Sequence, residues 1–262
     1  MQNIDNNVEA QKGDAVVQYQ LYFDCRDRGD HAKGVRWLRK AAANGLPEAE
    51  YELGFIYEDG ELVRRNWRKA VEWYRRASDH GCLEAWVNLG WCYHYGKGVV
   101  KTYRKAVKLY RKAARKGVTL AFYDLGICDD RGEGVRPSDK KAACWYRRAA
   151  ELGHVEAQCN LGVCLINGIG CERNAKEAVA WFRKAARRGD EKAMFNLWEC
   201  YRDGEGVRMS KSRAFFWLLK SAANGDARAK RQLRYHENEI APRHGRRSGM
   251  RGEMLPVCKC CQ

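Results

Sequence analysis

Four cysteines recur at equivalent places in the sequence and could form a metal site or a set of disulfides. Cys92, Cys128, Cys164 and Cys200 are spaced by 36 residues, and each follows a Leu by three residues. Thiolates are good ligands for zinc. If the period stacks helices, however, equivalent Cα atoms lie about 8–10 Å apart, beyond the roughly 7 Å limit for a disulfide. We therefore expect reduced thiols that pack in the core as small hydrophobic residues. A ladder of metal ligands is the alternative.

Two further motifs could carry chemistry. Cys258, Cys260 and Cys261 could bind a metal or accept an acyl chain, but no second C-x-x-C accompanies them. Ser138 and Lys141 match the S-x-x-K pattern of penicillin-recognising enzymes, but S-D-N and K-T-G are absent and Ser138 also suits a helix N-cap. The sequence therefore predicts no catalytic residue, no metal site and no cofactor, and a protein that is not an enzyme.

Basic residues form pairs at the same 36-residue spacing. The chain has 49 Lys and Arg against 33 Asp and Glu, a formal net charge of +16. Such an excess is compatible with a polyanionic partner, but it is equally typical of a solvated helix face. We favour the solvated face. The pairs, called the basic ladder below, are Arg39-Lys40, Arg75-Arg76, Arg111-Lys112, Arg147-Arg148 and Arg183-Lys184.

These motifs share a period of 36 residues that organises the chain. Leu-Gly occurs at residues 53, 89, 125 and 161, and Leu continues the series at 197 and 233. An Ala precedes each of these Leu residues by four positions. A register of Trp keeps the same period, with Leu109 in the one gap: Trp37, Trp73, Trp145, Trp181 and Trp217.

Each period reads as two helices. In helix A, the Ala and the Leu lie at i and i+4 and so share one face, which must be buried. A Gly-rich loop then leads to helix B, which ends at a Gly of the same register. Six residues that favour the N-cap occupy the start of helix B: Asp30, Asn66, Thr102, Ser138, Asn174 and Ser210.

The ends of the repeat array define three segments. The first unit lacks the G-x-G-V insert, and the last repeats only the Ala and Leu of helix A. We predict a flexible N-terminus over residues 1–12, an array of about six helix pairs plus a capping helix over 13–240, and a basic, Cys-containing disordered tail over 241–262. Because residues 1–13 hold no long apolar run, we expect no signal peptide or membrane span and a cytoplasmic protein.

The repeated residues resemble the Sel-one-like repeat family, a relative of the tetratricopeptide repeats. Its units look like A-x-x-x-L-G-x-x-Y followed by G-x-G-V and W-Y-R-K-A-A, and the resemblance covers about residues 15–234. It implies an all-α fold, a right-handed α-solenoid of stacked antiparallel helix pairs, and a role in assembling macromolecular complexes. The chain departs from the pattern at Trp198, which replaces a helix-packing Gly, at Asp129, which replaces an aromatic, and at Leu62, which replaces a loop Gly.

Similarity to tetratricopeptide geometry also implies a binding surface. It directs the residues two before, one before and two after each register Leu towards a concave face made by the A helices. Aromatic residues there could anchor a partner, and Asn could bind a peptide backbone; several of these aromatics could instead pack against the neighbouring unit. The predicted partner-binding residues are Tyr51, Glu52, Phe55, Asn88, Trp91, Tyr123, Asp124, Asn160, Phe195 and Asn196.

Acidic residues near this surface suggest what it binds. Glu48, Glu58 and Asp130 lie on or beside the same track, whereas the basic ladder belongs to helix B. We therefore expect a non-catalytic scaffold or adaptor that binds a basic or amphipathic protein or peptide. The alternative is a basic solenoid that binds nucleic acid or an anionic membrane through the ladder and the tail.

Overall fold

A computed structural model of the chain describes residues 13–240, and beyond Tyr235 it describes the helical backbone alone. Over this part of the chain there are thirteen helices and no strand, as the all-α prediction requires. The predictions for residues 1–12 and 241–262, including the tail cysteines, lie outside the described residues. The helices are α1 Ala15–Asp27, α2 His31–Ala43, α3 Pro47–Asp59, α4 Trp67–Asp79, α5 Leu83–Tyr95, α6 Tyr103–Arg115, α7 Thr119–Arg131, α8 Asp139–Glu151, α9 Val155–Asn167, α10 Ala175–Arg187, α11 Glu191–Asp203, α12 Lys211–Ala223 and α13 Ala227–Ile240.

Each helix packs against the next one in the chain, which gives a solenoid of helix pairs. The odd-numbered helices α1 to α11 are the A helices, the even-numbered ones are the B helices, and α13 ends the array. The loop between α1 and α2 spans residues 28–30, whereas that between α3 and α4 spans residues 60–66, which confirms the shorter first unit.

The helix boundaries follow from the capping residues. The side chains of Asp30, Asn66, Ser138, Asn174 and Ser210 each accept a hydrogen bond from the amide three residues on, as predicted. For Ser138 this bond comes from the backbone of Lys141 at 3.4 Å, which accounts for the S-x-x-K pattern by helix capping.

Thr102 occupies the N-cap position without making the expected cap. Its side chain accepts no hydrogen bond from the first turn of α6, and the hydroxyl instead donates to the Val100 carbonyl at 3.1 Å. A local bond of this kind competes with capping in Ser and Thr.

The repeated Ala and Leu residues form the core. The register Ala residues from Ala49 to Ala229 are fully buried, and the register Leu residues from Leu53 to Leu197 are at most 4% exposed. The four repeated cysteines are buried in the same clusters as free thiols, which confirms that they pack as core residues.

A close helix contact explains the Gly that follows the register Leu. At residues 54, 90, 126 and 162, a Cβ atom would collide with an aromatic ring of the B helix twenty residues on. In the last helix pair the large and the small side chain have changed places. Trp198 stands at the Gly position, and Leu218 stands at the aromatic position. Both side chains are buried in one cluster, so the exchange keeps the contact filled.

The described helices include none that is both long and apolar enough to cross a membrane.

Candidate functional site

A cavity of about 450 Å³ opens on the surface of the A helices, between α5 and α7. Four predicted partner-binding residues line it, namely Asn88 and Trp91 from α5 and Tyr123 and Asp124 from α7. They meet because α5 and α7 are equivalent helices of successive units, so the same stripe of each faces the same side. We call this cavity the central pocket; its other lining residues are Glu58, Val87, Tyr95, Leu120, Ile127 and Arg131.

The aromatic side chains of the central pocket are held by neighbouring rings. The Trp91 ring lies 5.8 Å from that of Trp67 and 4.9 Å from that of Tyr95. The Tyr123 ring stacks on His154 at 4.4 Å. Such packing fixes the aromatic surface in advance, so little side-chain freedom remains to be lost on binding.

The central pocket has more acidic than basic groups. Asp124 is partly buried, and this burial raises the pKa of its carboxyl group to about 7. Glu58 accepts a hydrogen bond of 2.5 Å from the Tyr74 hydroxyl. Arg131 is the one cationic residue among the lining groups. A cationic partner group would therefore meet carboxylates here.

A second cavity of about 400 Å³ lies towards the C-terminal end of the same surface. The predicted residues Asn160 and Asn196 line it, together with Cys159, whose sulfur lies 3.6 Å from the Asn196 side-chain nitrogen. Its charges balance, because the lining includes Glu191 and Asp226 as well as Lys192 and Arg228. It therefore lacks the acidic bias of the central pocket.

Three predicted residues on α3 lie outside both cavities. Tyr51 accepts a hydrogen bond of 3.4 Å from the Asn88 side chain, which links it to the central pocket. Glu52 accepts one of 2.8 Å from the Tyr22 hydroxyl. The Phe55 side chain is 47% exposed and free to meet a partner.

Phe195 does not fit its predicted role. It is 8% exposed, packs against Trp198 and lies beneath the guanidinium group of Arg228 at 4.2 Å. The following helix, α13, supplies that guanidinium group and covers the position. Phe195 therefore stabilises the end of the array.

The sequence prediction did not include three residues that line the central pocket, Tyr95, Leu120 and Arg131. Tyr95 lies one turn beyond Trp91, Arg131 one turn beyond Ile127, and Leu120 one turn before Tyr123. Extending the predicted stripe by one helical turn in each direction would have found them.

The basic ladder is partly engaged within the protein. Arg76 pairs with Glu50 at 3.0 Å, and Arg147 pairs with Glu177 at 2.7 Å. Arg75 and Arg183 donate hydrogen bonds to tyrosine hydroxyls of the next A helix, at 3.3 and 2.7 Å. Several of these side chains therefore stabilise the packing of successive helices.

Cys128, His94 and Glu133 form a chain of contacts like that of a thiol catalyst. The Cys128 sulfur lies 4.0 Å from Nδ1 of His94, whose Nε2 lies 2.9 Å from Glu133. Burial raises the pKa of the thiol to about 12 and lowers that of the imidazole. An activated thiolate needs the opposite shifts, so this group holds a neutral, inaccessible thiol.

Six consecutive segments match the Sel1 repeat: residues 25–46, 47–82, 84–118, 120–154, 155–190 and 191–226. The chain belongs to the Sel1 repeat family. Most of α1 precedes the first matched segment and α13 follows the last, so the two end helices flank the repeats.

Solved structures of the same family agree with this fold. The protein c5321 of uropathogenic Escherichia coli, a protective antigen with an SLR fold, is 33% identical with a TM-score of 0.81. The match covers 90% of this chain and 52% of that protein, so this chain spans about half its length. A Sel1 repeat protein from Oxalobacter formigenes is 31% identical with a TM-score of 0.76, over 82% of this chain and 86% of that one.

The solenoid also resembles a more distant protein, pilF of Pseudomonas aeruginosa. The identity is 16% and the TM-score 0.63, over 87% of this chain and 99% of that protein, which is a likeness of fold alone. No curated protein matches the chain. Proteins of the Sel1 repeat family are generally scaffolds for protein–protein interactions and are typically not enzymes.

Proposed function

We propose that this protein is an adaptor that binds a basic or amphipathic segment of a partner protein on the surface of its A helices. The observation that carries the proposal is the central pocket, where Asn88, Trp91, Tyr123 and Asp124 line one cavity with Glu58. Aromatic surface provides anchoring contacts, and the carboxylates favour Lys or Arg. The repeat array over residues 13–240 is then the partner-binding domain.

Tyr51 and Phe55 extend the proposed surface towards the N-terminal units, and Asn160 and Asn196 extend it towards the C-terminal units. Equivalent positions along a solenoid offer contacts at regular intervals, which suits an extended peptide. The Asn side chains would hydrogen-bond to the backbone of the peptide, while one of the peptide's side chains occupies the central pocket.

The proposal can be tested with a fluorescein-labelled peptide of alternating Lys and Leu, titrated with the full chain. Because the protein itself is strongly basic, non-specific attraction of such a peptide is weak. We expect the double variant Glu58→Gln with Asp124→Asn to bind it about tenfold more weakly at about pH 8, where the Asp124 carboxyl group is ionised and two charge contacts are lost. The matched control is Glu151→Gln with Glu172→Gln, which removes the same charge from exposed sites elsewhere. Equal losses in both double variants would overturn the proposal.

The sequence-based alternative, a nucleic acid or anionic membrane bound along the basic ladder, stays a prediction, as does the cytoplasmic location. A salt titration separates the two binding modes. Binding through phosphate contacts falls steeply and linearly on a plot of log affinity against log salt concentration. Binding by aromatic anchors in the central pocket responds less to salt.

A further inference from the structure

A groove on the B-helix side of the molecule coincides with the single gap in the Trp register. Leu109 stands there in place of Trp, and with Leu89 and Tyr93 it lines a cavity of about 520 Å³ between α4 and α6. We call this cavity the α4–α6 groove. One unit later the register residue is Trp145, and the equivalent cavity holds about 240 Å³. The smaller side chain of Leu109 therefore leaves space that an indole fills in the next unit.

The rim of this groove is strongly cationic. Six basic side chains surround it, against the single carboxylate of Asp79. All six are exposed, and none of them forms an ion pair with a carboxylate of the described residues. They are Arg75, Lys105, Lys108, Arg111, Lys112 and Arg115.

Of the described ladder pairs, the two on either side of Arg111-Lys112 are engaged in ion pairs, whereas this one and the two at the ends of the ladder, Arg39-Lys40 and Arg183-Lys184, are not. In the pair before it Arg76 is bound by Glu50, and in the pair after it Arg147 is bound by Glu177. Neither Arg111 nor Lys112 has such a partner. The two ion pairs isolate the cations beside the groove from the rest of the ladder, and a short acidic ligand is enough to meet them.

The missing Trp also changes what the neighbouring cations contact. Where the register Trp is present, the basic residue three positions on lies over its ring, as Lys184 does over Trp181 at 3.8 Å and Arg76 over Trp73 at 4.6 Å. Lys112 has no such ring in its own helix and lies over Trp86 of α5 at 5.3 Å. An aromatic side chain from a partner would give Lys112 a second ring, at the place that the register Trp fills in the other units.

We propose that the α4–α6 groove binds an acidic segment of a second partner protein, whose Trp or Phe side chain fills the space left by Leu109. The apolar floor receives the ring, and the six cations of the rim meet carboxylates on either side of it. A phosphate polymer would use the rim but would leave the apolar floor empty. This surface is separate from the central pocket, so its failure would leave the proposed function untouched.

The test uses the full chain and a fluorescein-labelled peptide, Asp-Glu-Asp-Trp-Glu-Asp-Glu, beside the same peptide with Ser in place of Trp. We expect the Trp peptide to bind about tenfold more tightly, because only it fills the groove. Leu109→Trp should remove that advantage, since it places the residue of the other units in the cavity. Leu109→Met leaves the space open and should keep the advantage.

A charge variant provides a second, independent measurement. Lys108 and Lys112 are exposed, so Lys108→Glu with Lys112→Glu should fold and should weaken binding of both peptides. Lys176→Glu with Lys184→Glu, an equally charged change on α10, should not. Equal affinity for the Trp and Ser peptides would overturn the proposal. So would a preference for the Trp peptide that Leu109→Trp leaves unchanged.

Discussion

Gly90 on α5 lies against the ring of Tyr110 on α6, so closely that a Cβ atom at Gly90 would stand 2.6 Å from Cε1 of that ring. No pair of carbon atoms tolerates this distance without movement. We expect Gly90→Ala to destabilise the protein by about 1–3 kcal/mol, the usual effect of overpacking a well-filled core. Urea unfolding followed by circular dichroism measures it.

A second substitution tests the cause. Adding Tyr110→Leu to Gly90→Ala should recover part of the lost stability, because Trp198 and Leu218 already combine a large residue at the first position with Leu at the second. An unchanged unfolding midpoint for Gly90→Ala alone would show that the two helices move apart at no cost.

The register Leu residues should be equivalent in energy as well as in position. Leu89, Leu125 and Leu161 are 4%, 1% and 0% exposed. Truncating any one of them to Ala should cost about 2–5 kcal/mol, since each change leaves a cavity. Leu152→Ala is the control, because this side chain is 56% exposed and should change stability by less than about 0.5 kcal/mol. Costs at all three register positions as small as that of the control would contradict the repeat packing.

The four repeated cysteines should react slowly with thiol reagents. Burial raises the pKa of each of them, Cys92, Cys128, Cys164 and Cys200, to about 12, so the reactive thiolate is scarce and inaccessible. Cys144 is exposed and should be alkylated before these four. Iodoacetamide labelling with peptide mass spectrometry, repeated in guanidinium chloride, compares the folded and unfolded rates. Disulfides between these four residues, or zinc bound in a stoichiometric amount to the protein, would contradict the interpretation that they are packed in the core as free thiols.

Stability should fall with rising pH through the titration of Asp124. Its pKa in the folded protein is about 7, against 3.8 in a model peptide, so the folded state holds the proton more tightly. The stability that this proton contributes is present at low pH and is lost as the pH rises towards and through 7. Asp124→Asn cannot lose a proton, and it installs the residue found at the equivalent positions 88 and 160.

Thermal melts of the two proteins between about pH 5 and pH 8.5 measure this effect. The advantage of Asp124→Asn over the natural protein should grow with pH and level off above about pH 8. A difference that stays constant with pH would mean that Asp124 is ionised throughout the range.

Binding of a partner should depend on the A-helix surface. Once affinity capture has identified a partner, Trp91→Ala and Asn88→Ala should each weaken its binding, because both side chains line the central pocket. Arg111→Ala with Lys112→Ala is the comparison on helix B, and circular dichroism checks that every variant stays folded. Loss of binding in the helix B variant alone would refute the A-helix surface as the binding site of that partner and would place the partner on the helix B side, where Arg111 and Lys112 line the α4–α6 groove.

Much of the fold could be read from the sequence because it depends on local chemistry. The helix boundaries follow from capping side chains such as Asn66 and from Gly residues that adopt positive φ, as Gly117 does at 83°. The buried faces follow from the 3.6-residue turn, which places Ala85 and Leu89 on one side of α5. Because the sequence repeats, the same residue pattern supports each of these assignments in several units.

The tertiary structure decided which predicted surface residues are open and what surrounds them. Phe195 occupies the same register position as Tyr123, yet Arg228 of α13 covers it, whereas Tyr123 lines the central pocket. In the sequence, Leu109 is an ordinary replacement for Trp. In the structure, residues of α4 and α5 enclose the space that the indole would occupy, and this space is the α4–α6 groove. Burial, the pKa of Asp124 and the shape of a cavity depend on residues that are distant along the chain, so no local pattern could supply them.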